Sequence, residues 1–264
     1  MGSLNEHSAV QKQYSTANNL NTRISIHDKY STNKLGFNNW LFSNYDISPN
    51  SEILDIGCGT ARIWKQNLHL LHKSVKLRLT DFSAVMLSDA KNTIGERENI
   101  SYDIVDIENI PYEDGRFDIV TANMMLYHVP DLNRGLSEVQ RVLSDKGCFY
   151  CATYGENGIM PYIATLLKNY NVIDQTNKNF TLQNGSDILK KHFSDVKRLD
   201  YEDALEVTDI DDIIDYIYSL KSISSCAELD RKILKNILEQ NMVNGILRIP
   251  KEYGTFICRN KSKL

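Results

Sequence analysis

The chain has 264 residues, 42% hydrophobic and 24% charged, with a formal net charge of −4. Those values suit one soluble α/β domain with a sizeable core and a helical extension, and they give nucleic acid no clustered basic face to bind. No apolar run approaches the roughly 18–20 residues that span a bilayer, and the polar start has no signal-peptide core, so no membrane partner is expected and the cytoplasm is the expected compartment.

Glu6 also stands where N-myristoylation needs Ser or Thr. The five cysteines are odd in number and irregular in spacing, as reduced thiols are. No pattern in the chain specifies an oligomeric state.

Residues 4–48 carry no strand character. They predict short helices over Gln11–Tyr14, Leu20–Tyr30 and Lys34–Tyr45, with Leu20, Ile24 and His27 at helical spacing. The expected organisation is a helical arm over residues 1–48 and an α/β domain over 49–264, with helical additions at about 155–185 and 208–250.

Next comes Ser51-Glu-Ile-Leu-Asp-Ile-Gly-Cys-Gly-Thr-Ala61, a buried strand running into a Gly-x-Gly turn, with a helix expected from about Thr60. The carboxyl end of such a strand is where open α/β sheets bind ligands. A dinucleotide is disfavoured, because its third small residue is replaced here by Arg62. Asp55 would repel a pyrophosphate but could hold an ammonium group, directly or through water. A cationic nucleoside, S-adenosylmethionine (SAM), meets that demand. Leu54-Asp-Ile-Gly-Cys-Gly-Thr60 resembles motif I of the class I SAM-dependent methyltransferases, and the resemblance makes Asp55, Gly57, Cys58 and Gly59 cofactor candidates.

Val75–Thr80 predicts a second strand, ending at Asp81, 24 residues beyond Gly57. That spacing suits a carboxylate on a ribose diol, the alternative being an N-cap for the helix opening at Ser83. Phe82 and Met86 are candidates for apolar contact with adenine. A third strand is expected over Ile100–Ile107, and the resemblance assigns the adenine amino group to Asp106 and the ring to Ile107. Phe117, Ile119 and Val120 are core candidates of a fourth strand, in which Asp118 reads as structural.

Asn123-Met-Met-Leu-Tyr-His-Val-Pro-Asp131 follows. It resembles the Leu-Tyr-His-Val-Pro-Asp stretch of bacterial small-molecule methyltransferases, and not the Asn-Pro-Pro-Tyr motif of enzymes acting on nucleic-acid bases. Asn123 joins the cofactor candidates. A helix through Leu136, Val139 and Leu143 and a fifth strand over Phe149–Thr153 follow, and the match in kind and order runs from Glu52 to about Thr153. Cys148 and Cys151 stand three apart on that strand, so their sulfurs point to opposite faces and make no redox or zinc pair.

Beyond it, helices are expected over Gly158–Tyr170, Ser186–Phe193, Thr208–Leu220 and Leu229–Met242. A sixth strand is expected over Val196–Val207 and a seventh over Gly254–Arg259. Ile210, Ile213, Ile214 and Ile217 form an apolar stripe, and Asp209, Asp211 and Asp212 read as helix-start acids rather than metal ligands. The resemblance implies a Rossmann-like, seven-stranded, mostly parallel sheet with its last strand antiparallel. The family usually joins strands six and seven as a near-hairpin; here some forty residues intervene.

The same resemblance makes the arm a cover over the cofactor. Arg23 is a candidate partner for the SAM carboxylate, and Tyr14, His27, Tyr30 and Trp40 are candidates for the acceptor. Methyl transfer from a sulfonium is an in-line displacement in which alignment and water exclusion dominate. Where the acceptor needs a base, His128 is the candidate, with Tyr127 orienting the acceptor. His69 and His72, three apart on a helix, read as solvated. The expected partner is a small-molecule or peptide acceptor, the expected products a methylated acceptor and S-adenosylhomocysteine, and no metal is called for. An RNA methyltransferase and a non-catalytic SAM-binding protein are the alternatives.

Overall fold

The computed structural model describes residues 25–220 and 229–260. Tyr14 and Arg23 therefore lie outside the described residues. The strands are β1 (Glu52–Ile56), β2 (Lys76–Asp81), β3 (Ile100–Ile104), β4 (Phe117–Thr121), β5 (Leu143–Tyr154), β6 (Asp195–Val207) and β7 (Leu247–Arg259). They form a seven-stranded sheet in the order β3-β2-β1-β4-β5-β7-β6. β1 to β5 pair in parallel, and β7 runs antiparallel to both of its neighbours. This is the Rossmann-like sheet the motifs imply.

The helices are α1 (Phe37–Ser43), α2 (Arg62–Asn67), α3 (Ala84–Ile94), α4 (Leu132–Val142), α5 (Ile159–Leu166), α6 (Gly185–Leu189), α7 (Ile210–Ser219) and α8 (Arg231–Gln240). Residues 25–30 are also helical. Side-chain alternation divides each central strand between two cores. Leu54, Ile56, Val120, Phe149 and Cys151 pack on one face against Leu136, Val139 and Val142 of α4. Ile53, Leu77, Leu79, Ile119, Cys148 and Tyr150 pack on the other, against Leu41 of α1, Trp64 of α2 and Ala90 and Ile94 of α3. Cys148 and Cys151 thus lie on opposite faces, as their spacing dictates.

A third core stands beyond the carboxyl edge of β5. β6 and β7 pair along their whole length, from Asp195↔Arg259 to Val207↔Leu247, whereas β5 pairs only with Tyr253–Arg259 of β7. The remaining two-stranded overhang carries Leu205, Val207, Leu247 and Ile249. Around it pack Ile159 and Ile163 of α5, the predicted isoleucine stripe of α7, Leu234 and Leu238 of α8, and Ile26 and Tyr30 of the arm. The forty-residue connection therefore joins two strands paired along their whole length, with α7 and α8 among its described residues. Asp209 caps α7, Asp211 pairs with Arg231 (2.9 Å) and Lys235 (2.9 Å) of α8, and Asp212 accepts from Tyr30 Oη (2.5 Å).

Several boundaries differ from the sequence reading: β5 opens at Leu143 rather than Phe149, β7 at Leu247 rather than Gly254, and α5 and α6 end at Leu166 and Leu189 rather than Tyr170 and Phe193. α2 opens at Arg62 rather than about Thr60, because Gly59 (φ +54) and Ala61 (φ +55) hold left-handed conformations that no helix accommodates. β3 ends at Ile104 rather than Ile107. Asp106 Oδ1 accepts from Glu108 N (2.9 Å) and Asp106 O from Asn109 N (3.0 Å), a side-chain turn that competes with the ladder.

Candidate cofactor site

β1 delivers the chain to the carboxyl edge of the sheet, where Gly57 (φ +70) and Gly59 (φ +54) turn it back. A Cβ on Gly59 would meet nothing within 4 Å, so this glycine keeps open space open. Gly57 is different. A Cβ there would stand 2.9 Å from Cγ of Met125, so protein rather than ligand fills the place of its missing side chain. Cys58 N donates to Thr80 O (2.9 Å), tying the bend to the end of β2.

Asp81 closes that junction. Its Oδ2 accepts from Gly59 N (2.9 Å) and its Oδ1 from Ser83 N (2.8 Å). It is not the N-cap of α3, since Ser83 takes that place and accepts from Met86 N. A carboxylate offers about four lone-pair sites, so two backbone donors leave room for a diol. Burial raises the Asp81 pKa, and the two backbone N–H groups oppose the rise.

These residues wall a cavity of about 290 Å³. Gly57, Cys58 and Gly59 form one side; Asp81, Phe82 and Met86 the second; Val105, Asp106 and Ile107 the third. The loop after β4 completes it with Asn123, Met124, Met125, His128, Val129 and Pro130. Met124 is held at φ +56, a left-handed conformation uncommon for a side chain with a Cβ and of the kind found at functional loops. Asn123 Nδ2 donates to Tyr45 Oη (2.7 Å), while its Oδ1 is buried with no hydrogen-bond partner among the described residues. Burial lowers the His128 pKa to about 4, so the imidazole is neutral at physiological pH.

Several sequence candidates lie elsewhere. Asp55 does not face the cavity: it is 2% exposed, and its carboxylate accepts from Trp64 Nε1 (2.6 Å) and Thr121 Oγ1 (2.6 Å) inside the core. It is a structural acid of the bend, because alternation in a strand covered on both faces points it away from the ligand side. Tyr127 is buried against Tyr154 (4.6 Å between centroids) and His128 (4.5 Å), outside the cavity wall. Among His27, Tyr30 and Trp40 none lines the cavity. Tyr30 binds Asp212, Trp40 lies between Phe37 and Tyr201, and His27 sits among the rings of Tyr216 and Tyr253. Burial, then Lys251, lowers the His27 pKa to about 3.

The arm nevertheless reaches the bend. Asp28 pairs with Arg62 at the start of α2 (2.7 Å), and Asp203 of β6 accepts from Ser31 Oγ (2.9 Å) and Asn33 N (3.0 Å). Asp118 accepts from Glu52 N (2.9 Å), a structural role, and His69 and His72 are exposed. Sequence reasoning did not reach Met124, Met125, Ser83, Val129 and Pro130. The signal available for the two methionines was their place directly after Asn123.

The donor set fits SAM. An acid ends β2, a buried oxygen just beyond β4 has no donor among the described residues, and apolar side chains wall the space between. Among the described residues that line the cavity there is no Lys or Arg to meet a pyrophosphate. Among the described residues, no three His, Cys, Asp or Glu are grouped to hold a metal.

Residues 54–151 match a family described as a methyltransferase domain. A ubiquinone/menaquinone biosynthesis C-methyltransferase of Rickettsia akari is 32% identical over 116 residues, which is 40% of this chain and 46% of that protein. A malonyl-[acyl-carrier protein] O-methyltransferase of Legionella pneumophila is 31% identical over 109 residues, 41% of this chain and 38% of that protein. The chain thus spans less than half the length of these curated relatives. The structure of phosphoethanolamine N-methyltransferase 2 of Haemonchus contortus with S-adenosyl-L-methionine superposes with a TM-score of 0.58 at 14% identity, covering 97% of this chain and 59% of that one. That likeness is one of fold. The matched segment runs from β1 into β5, and over it the chain is similar to a methyltransferase domain.

Proposed function

We propose that the chain transfers the methyl group of SAM to a small-molecule or peptide acceptor by in-line displacement. The observation that carries this reading is the cavity at the carboxyl edge of β1, β2 and β4, walled by an acid, a donor-seeking amide and apolar side chains. Bound there, SAM supplies an electrophilic methyl group on a good leaving sulfur. Asp81 would accept from the ribose diol, Phe82 and Met86 would offer apolar contact to the adenine, and Asp106 and Ile107 would meet its amino group and ring. Asn123 would accept from the ammonium group. Gly57, Cys58 and Gly59 form the wall along the amino-acid end, and Arg23, outside the described residues, is the candidate for its carboxylate.

His128 holds a neutral imidazole at the β4 wall, able to accept the proton that a hydroxyl or ammonium acceptor must lose. The arm and the third core, standing beyond the carboxyl edge, act as the cover that excludes water and selects the acceptor. The Asp28–Arg62 pair supports this by joining arm to bend. The name of the Rickettsia akari relative, a ubiquinone/menaquinone biosynthesis C-methyltransferase, favours a small acceptor, and that of the Legionella pneumophila relative a malonyl group borne on a carrier protein. The proposed place of action is the cytoplasm; no described helix is long and apolar enough to cross a membrane.

The test is incubation of the purified protein with methyl-labelled SAM and a metabolite extract, followed by mass spectrometry. Labelled small molecules with matching S-adenosylhomocysteine are expected. Binding without turnover would instead indicate a SAM-binding protein, and label entering bulk RNA a nucleic-acid methyltransferase.

A further inference from the structure

Tyr45 follows α1, stands 78 residues from Asn123 in sequence, and belongs to none of the motifs that mark the cofactor site. Its ring is held on three sides, by Tyr150 (4.9 Å between centroids), Phe42 (6.0 Å) and Trp64 (6.1 Å). Tyr150 Oη accepts from Asp46 N (3.0 Å), which pins the next residue as well. Tyr45 Oη thereby occupies a fixed point, and it takes the Nδ2 end of the Asn123 amide at 2.7 Å.

The opposite end, Oδ1, is buried without a partner among the described residues, although Asn123 borders the cavity. A buried carbonyl oxygen lacking a donor is costly. The phenol, itself both donor and acceptor, fixes where the amide stands, and the second end of the amide is left for a group brought from outside.

We propose that Tyr45 is a positioning residue for the amino-acid end of the methyl donor. It holds the Asn123 amide in place at the cavity wall, where the open oxygen takes an ammonium or other N–H donor of the ligand. The inference rests on the reading of the cavity as a SAM site and deepens it. It adds a determinant from the arm side of the molecule to a site otherwise built from strand ends.

The test compares S-adenosylhomocysteine with 5′-methylthioadenosine, the same nucleoside without the amino-acid chain. Calorimetric affinities for both are measured with wild type, Tyr45→Phe, Asn123→Ala and the double variant, with melting curves confirming that each is folded. Tyr45→Phe should weaken S-adenosylhomocysteine about 10-fold, as loss of one buried hydrogen bond does, and leave methylthioadenosine within about twofold. The double variant should be no weaker than Asn123→Ala alone, because Tyr45 acts through Asn123.

Equal losses for both ligands, no loss for S-adenosylhomocysteine, or additive losses in the double variant would each overturn the proposal. Where methylthioadenosine is too weak to measure, the double variant decides alone. Failure of the wild type to bind S-adenosylhomocysteine strikes the cofactor reading itself. Binding by the wild type with Tyr45→Phe unaffected strikes only the role of Tyr45.

Discussion

The acid beneath the glycine bend gives a prediction that separates structure from ligand binding. Asp55 is 2% exposed and surrounded by the core. Burial raises its pKa from 3.8 to about 7, opposed by the hydrogen bonds from Thr121 and Trp64. That rise corresponds to about 4 kcal/mol of preference for the protonated acid in the folded state. The unfolded chain ionises near the ordinary value and the folded chain only near 7. The stability this group contributes is therefore full below about pH 4, is lost as pH climbs toward 7, and is flat above it.

Asp55→Asn removes this titration while keeping an amide oxygen for the Trp64 indole and an amide for the Thr121 hydroxyl. Urea denaturation of both proteins at pH 5, 6, 7 and 8 isolates the effect, since all other titrating groups cancel in the difference. The variant should gain on the wild type by roughly 2–3 kcal/mol between pH 5 and 8. A difference that stays constant across that range would refute a proton-holding Asp55.

Asp81→Ala should weaken S-adenosylhomocysteine by about 10- to 100-fold, the range for losing a charge-assisted hydrogen bond, with the protein still folded by circular dichroism. Unchanged calorimetric affinity would remove Asp81 from the ribose. His128→Ala should lower turnover about 100-fold or more at constant SAM affinity if the acceptor must lose a proton. Because burial holds His128 near 4, the wild-type rate should show no break near pH 6.5, and wild-type turnover in the variant would end the base assignment. Lys251→Met leaves Asp203, whose side chain is 0% exposed, without its cation. The expected cost is about 3–5 kcal/mol, read by urea denaturation, and an unchanged midpoint would contradict it.

The order of strands and the position of the glycine bend were legible because both are written locally. Short apolar runs end in Gly57 and Gly59, in Asp81 and in Asn123, and each ends where a parallel strand must present its carboxyl edge. The orientation of Asp55 was legible in principle and misread. An acid flanked by Leu54 and Ile56 in a strand covered on both faces shares the side of Ile53, so it has to be satisfied inside the core.

The pairings of Tyr45, Trp64 and Met125 were not legible, because their partners Asn123, Asp55 and Gly57 lie 78, 9 and 68 positions away and meet them only through packing. Helical spacing put His27, Tyr30 and Trp40 on helices, where they lie. It gave no means of telling a ring that faces a cavity from one that packs against Tyr216, Asp212 or Tyr201.

The central claim is that this carboxyl-edge cavity takes a cationic nucleoside and not a phosphorylated one. Parallel calorimetric titrations with SAM and with a nicotinamide dinucleotide test it most directly. Saturable binding of SAM near one equivalent, with no heat from the dinucleotide, is the predicted result; uptake of the dinucleotide without SAM would contradict it.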